Sequence, residues 1–182
     1  MASLPNSGSA KRKEKHGDRQ GPQTVGAGEL VWIRFAKLPL TQKWLEKMWQ
    51  DLVREIASSP RASVKFRSQL SKNLVVVIVG TKKARALNRQ FRGRDYATDI
   101  LSFEGAGDTL GELVFCDSKI RAQAKANRHS VRAEMAYLLI HGVLHLLGFE
   151  HEGSGRVAER KAQLMLHFQD LLFDRIREKY DL

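Results

Sequence analysis

A chain of 182 residues, 42% of them hydrophobic, is long enough for one domain with a proper core and shows no second one. Its single cysteine, Cys116, excludes an internal disulfide and fits a reducing compartment, so a cytoplasmic protein is expected. The net charge of +11 favours a polyanionic partner, nucleic acid before an anionic membrane.

The first stretch, residues 1–28, is rich in Ser, Gly, Lys, Arg and Gln and nearly devoid of large apolar residues. It cannot bury enough surface to offset its ordering entropy, and it is predicted to be a disordered basic tail ahead of a domain over 29–182. The tail is not the whole source of the charge. Beyond it, 26 basic residues stand against 18 acidic ones, a net of +8. No apolar signal core opens the chain, and the runs Leu74–Val79 and Met135–Leu147 fall short of the roughly 20 residues that span a bilayer.

Leu30–Phe35 alternates apolar and polar residues and reads as a strand. Thr41 is a candidate N-cap for a helix carrying Trp44, Leu45, Met48, Trp49, Leu52, Val53 and Ile56 at helical spacing, with both tryptophans assigned to the core. Val64–Leu70 fits helix or strand. Leu74–Val79 is a continuous β-branched run, the pattern of a strand buried on both faces. Thr81 is expected to cap a short helix with Ala84, Leu87 and Phe91. A charged loop, Arg92 to Asp99, feeds the strand Ile100–Phe103, and a short Gly-rich connection joins it to Gly111–Cys116 as a possible antiparallel hairpin. Asp117 is expected to cap the next helix, Ser130 a long buried one. Val157 to Tyr180 forms a last amphipathic helix, with Leu164, Phe168, Leu171, Leu172 and Phe173 facing inward.

The long helix holds the chemistry. His141 and His145 are four residues apart, so they stack on one helical face and both rings can reach one ion. Gly148 offers a helix stop, and the turn there brings His151 back toward them. Three imidazoles leave a fourth tetrahedral position open, as a catalytic zinc site needs; they also suit nickel or copper. The spacing matches the three-histidine part of the H-E-x-x-H-x-x-G-x-x-H protease pattern, but Gly142 stands where that pattern has its general-base glutamate.

Two stretches together carry a resemblance. Leu87-Asn88-x-x-Phe91-Arg92-x-Arg94-Asp95-x-x-Thr98-Asp99-Ile100-Leu101-Ser102-Phe103 and His141-Gly-x-Leu-His145-Leu-x-Gly148-x-x-His151 are similar to the YbeY family of metal-dependent endoribonucleases. Gly111-Glu112-Leu113 stands where that family has Gly-Asp-Ile. Two positions depart from its pattern. Glu104 replaces a proline after Ser-Phe, and Glu150 replaces an aspartate before the third histidine.

The resemblance implies an α+β fold of one domain, a small mixed sheet packed with helices and a metal site on the central buried helix. It implies one zinc ion on His141, His145 and His151, and a functional arginine at Arg92 gripping the scissile phosphate. The implied partners are RNA, ribosomal RNA above all, and the small ribosomal subunit. The implied roles are rRNA maturation, including small-subunit 3′-end processing, and ribosome quality control. Asp99 and Glu150 are candidates for orienting a ligand or moving a proton; Asp99 is also a candidate for tying its loop to backbone amides, and Arg94 and Asp95 for pairing with each other on the loop. Two other readings stand beside this one. One is a metal-dependent hydrolase of another substrate, such as a peptidase, which Gly142 argues against. The other is a ribosome-associated binding protein whose metal is structural.

Overall fold

The computed structural model describes residues 26–60, 62–149 and 155–182; the tail up to residue 25, Glu150 and His151 lie outside them. Four strands among the described residues form one mixed sheet: β1 (Leu30–Arg34), β2 (Asn73–Val79), β3 (Ile100–Glu104) and β4 (Thr109–Cys116), in the order β1-β2-β4-β3. β1 and β4 both run parallel to β2, while β3 and β4 form the expected antiparallel hairpin. β2 therefore lies inside the sheet, and its β-branched run is covered on both faces.

Among the described residues six helices surround the sheet: α1 (Gln42–Ser58), α2 (Val64–Leu70), α3 (Thr81–Arg92), α4 (Asp117–Ala126), α5 (Val131–Leu146) and α6 (Arg156–Tyr180). One face of the sheet, through Leu74, Val76, Ile78, Leu113 and Phe115, packs with α1, α5 and α6 into the main core. The opposite face, through Val77, Leu101, Val114 and Cys116, packs with Ala84 and Leu87 of α3. The architecture is the expected α+β one, with the histidine-bearing helix buried at its centre.

Local chemistry explains most helix starts. The Thr41 and Ser130 hydroxyls accept hydrogen bonds from the backbone N–H of Trp44 and Ala133, at 3.2 and 3.0 Å. Ser63 does the same for Phe66, which resolves the ambiguous 64–70 stretch as helix. Two caps differ from expectation. Gly80 and Cys116 hold the N-cap positions, so Thr81 and Asp117 sit one residue inside their helices. Thr81 instead shares a 2.7 Å hydrogen bond with Ser118. Trp49 is buried, and its indole N–H donates to Gly28 O at 2.8 Å; Ala27 also packs on the core. These two residues, assigned to the tail by composition, are part of the packed body.

The last helix is turned relative to expectation. Met165, Phe168, Gln169, Leu172 and Ile176 are buried, while Leu164 and Leu171 are largely exposed. Its far end is anchored at Asp51 of α1, a buried carboxylate. That group accepts from Tyr180 Oη at 2.7 Å, meets Lys179 Nζ at 2.9 Å and pairs with Arg54. Among the described residues no helix is long and apolar enough to cross a membrane.

Candidate metal centre

α5 ends in a Schellman motif. Gly148 takes φ +86°, its N–H donates to His145 O at 2.8 Å, and Phe149 N donates to Leu144 O at 3.0 Å. The left-handed residue turns the chain one turn past the second histidine, as the sequence required. His141 and His145 project from the same face with their rings edge to face, and their Nε2 atoms are 3.2 Å apart. Two nitrogens each 2.0–2.1 Å from one ion at the tetrahedral angle lie about 3.3–3.4 Å apart, so the pair fits a shared ion. The Nδ1 of His141 is 2.9 Å from Gln169 Oε1, which leaves Nε2 as the lone-pair nitrogen when Nδ1 donates.

Gly142 is where the helix touches the sheet. A Cβ there would lie 2.7 Å from Ile100 Cδ1 of β3 and 2.7 Å from Leu113 Cδ2 of β4. The position that carries a base in the protease pattern faces apolar side chains at closer than contact distance. A glutamate there would bury its charge between helix and sheet.

The second sequence motif folds around β3. Ile100 packs on the α5 side, whereas Leu101 and Phe103 face α3. Phe103 meets Phe91 edge to face at 5.0 Å. Arg92, the next residue, is exposed at the end of α3, where Gly93 takes φ +68°. Arg94 and Asp95 do not pair with each other. Asp95 takes a bidentate contact from Arg85 at 2.8 and 2.6 Å, which holds its carboxyl below the usual range, and Arg94 reaches the Tyr96 hydroxyl at 3.4 Å.

Both oxygens of Asp99 are engaged. One accepts from Ile100 N at 2.9 Å and Thr98 Oγ1 at 3.1 Å, the other from Gln123 Nε2 of α4 at 2.9 Å. These contacts tie the loop before β3 to its own backbone and to α4. Nothing can be placed for His151 and Glu150, which lie outside the described residues.

The model of the family described as Endoribonuclease YbeY matches residues 38–177. The chain belongs to the YbeY family. It is 35% identical over 152 residues to the endoribonuclease YbeY of Bdellovibrio bacteriovorus, covering 83% of this chain and 97% of that one. It is 35% identical over 153 residues to that of Solibacter usitatus, covering 82% and 96%. The solution structure of TM1509 from Thermotoga maritima shares the fold, with a TM-score of 0.57 at 22% identity over 84% of this chain and 91% of that one.

In this YbeY-family chain the structure adds two polar groups that pattern reading passed over. One is Gln169, fully buried in the apolar stripe of α6. Its signal was a lone amide between Phe168 and Leu172. The other is Glu134, two turns before His141 on α5 and only 3% exposed. Burial pushes its carboxyl above the ordinary range and nearby Asp99 adds to this; Asn127 Nδ2 at 3.3 Å and His129 Nε2 at 3.0 Å oppose it. Its spacing of seven from His141 was the available signal. Around the same helix, burial raises the Tyr137 phenol, with Asp170 and Glu134 adding to the effect.

Proposed function

We propose that this chain is a metal-dependent endoribonuclease of the cytoplasm, acting on ribosomal RNA in small-subunit maturation. Its one ion, zinc by donor chemistry, would be held by His141, His145 and His151. The observation that carries this reading is the Nε2 pair 3.2 Å apart, with the outer nitrogen of His141 already engaged by Gln169. Support comes also from the relatives named endoribonuclease YbeY. An ion at the pair supplies Lewis acidity toward a phosphoryl oxygen and makes nearby water more acidic.

The chain's own groups divide the remaining work. His141 and His145 bring two ring nitrogens to one position. Arg92 presents a planar guanidinium that can take two phosphate oxygens and offset charge developing on them. α3 leads to it with Lys82, Lys83, Arg85 and Arg89 and no acidic residue, a face suited to an RNA backbone. A hollow of about 510 Å³ runs along that helix, lined by Lys82, Arg85, Ala86, Arg89, Gln90 and Asp95. The apolar contacts of Gly142 argue against a peptidase, since they leave no place for its base. Asp99, with both oxygens engaged, is a tie for the loop before β3.

Elemental analysis of the purified chain, run beside cleavage assays on ribosomal RNA and casein with and without chelator, tests the proposal. About one ion per chain, chelator-sensitive RNA cleavage and intact casein are expected. His141→Ala should lose both the ion and cleavage, and Arg92→Ala should keep the ion and cleave roughly 10²–10³-fold more slowly. A metal-free preparation that cleaves as fast as the loaded one would sink the reading.

A further inference from the structure

Gln169 is an anomaly of burial. It has no exposed surface, and it sits in the stripe of Met165, Phe168, Leu172 and Ile176 that α6 lays on the core. Its Oε1 meets His141 Nδ1 at 2.9 Å, but among the described residues its Nε2 has no hydrogen-bond partner. An unmatched buried polar atom is destabilising, because it gives up its hydrogen bonds to water without replacement. A methionine or leucine would fill the same volume without that cost, so stability does not account for an amide here.

The geometry accounts for it through the imidazole. A neutral histidine carries its proton on one nitrogen only. Two Nε2 atoms 3.2 Å apart can both present lone pairs to one position only if both rings carry the proton on Nδ1. At His145 the described hydrogen bonds leave the choice open. At His141 an acceptor oxygen on Nδ1 makes it. With the amide turned over, its N–H would donate to Nδ1, the ring proton would move to Nε2, and the pair would close as an N–H···N hydrogen bond.

We propose that Gln169 is the positioning residue of the histidine pair: through Oε1 it fixes His141 as the Nδ1–H tautomer and aims its Nε2 at the position His145 also faces. This rests on the reading of the pair as a metal site. Being an amide, it does so without adding a negative charge. A carboxylate in its place would orient the ring equally well but would lower the net charge of a site meant for a phosphate polyanion.

The test uses the full chain. In metal-free wild type, ¹⁵N–¹H correlation of the imidazoles above their titration range reads the tautomer of His141 directly, and zinc titration reads affinity. Wild type should show Nδ1–H. Gln169→Met, close in shape and without an acceptor oxygen, should shift the ring toward Nε2–H and weaken zinc binding about 10–100-fold. Gln169→Glu restores an acceptor, so it should keep the Nδ1–H tautomer and bind zinc at least as tightly as wild type. It should nevertheless cleave RNA more slowly than wild type. A folded Gln169→Met with the wild-type tautomer and zinc affinity overturns the proposal, and so does Nε2–H in wild type. Failure of wild type to bind zinc overturns the metal reading instead, and the tautomer in the metal-free chain still decides the role of Gln169.

Discussion

Replacing Gly142 by alanine puts two known effects in opposition. In a helix interior alanine is favoured over glycine by about 0.5–1 kcal/mol, so on propensity alone the change stabilises. Against this, the new methyl would stand 2.7 Å from Ile100 Cδ1 and 2.7 and 2.9 Å from the two δ-carbons of Leu113. Both partners are ends of side chains, so they can rotate away, but Leu113 is fully buried and any movement disturbs the main core. Overpacking of this kind costs about 1–3 kcal/mol. The difference leaves Gly142→Ala destabilised by up to about 2.5 kcal/mol, or up to roughly 10 °C in melting temperature for a chain of this size. Scanning calorimetry on the metal-free chain measures it. Leu113→Val removes part of the obstruction, so the double variant should recover a share of the loss, with a coupling of about 0.5–3 kcal/mol. A melting temperature that rises by the full propensity gain, with no coupling to Leu113, would show that helix and sheet are not in close contact there. The explanation for the missing base would fall with it.

Other outcomes follow from the same structure. Asp51→Asn should destabilise by about 1.5–3 kcal/mol at neutral pH, because a buried carboxylate with three donors is replaced by an amide that satisfies fewer of them. Burial alone would raise the pKa of Asp51, but Lys179 and Tyr180 outweigh it and the net shift is downward from 3.8. That contribution is therefore present above the ordinary aspartate range and vanishes as pH falls through the folded value, so the two melting curves should converge in acid. Glu134 has the opposite sign, since its folded pKa lies above 4.5 and its ionisation works against the fold as pH rises. Glu134→Gln should match wild type in acid and gain on it toward neutrality, and a constant offset across pH would refute the assignment. Gly148→Ala, at φ +86°, should cost about 1–2 kcal/mol and, on the proposed three-histidine ligand set, also weaken zinc binding, because the strained position lies between His145 and His151 in the chain; unchanged zinc affinity would argue that the third histidine does not depend on it.

How far the sequence could be read depended on whether the deciding interaction was local. Ser130, the pair His141/His145 and Gly148 all act within one helix and its ends, and each sits as read. The β-branched run of β2 and the short β3–β4 connection are equally local signals. Two caps, at Gly80 and Cys116, fell one residue from the reading, and the larger misreadings involve partners outside the local stretch. Asp95 pairs with Arg85 rather than its neighbour because the loop folds back on α3. α6 presents Met165 and Ile176 rather than Leu164 and Leu171, because the face that buries a helix is chosen by what it packs on, and several faces of α6 were apolar enough. Gln169 was invisible for the same reason. An amide on an amphipathic helix reads as solvent-facing until the histidine it meets, 28 residues away, is in place.

The anchoring of α6 bears on the order in which the molecule becomes competent. A polypeptide emerges from its N-terminus, so α5 and its histidines are made before the helix that carries Gln169. The far end of α6 is held on α1 by Lys179 and Tyr180 at Asp51, 129 residues back from Tyr180, and by Arg175 at Glu55. Until α6 packs on α5, His141 has neither its oxygen partner nor the apolar cover of Phe168 and Leu172. A nascent chain can therefore expose the two imidazoles while lacking the group that aligns them. Alignment of the pair therefore waits on the synthesis and packing of α6, the last helix described.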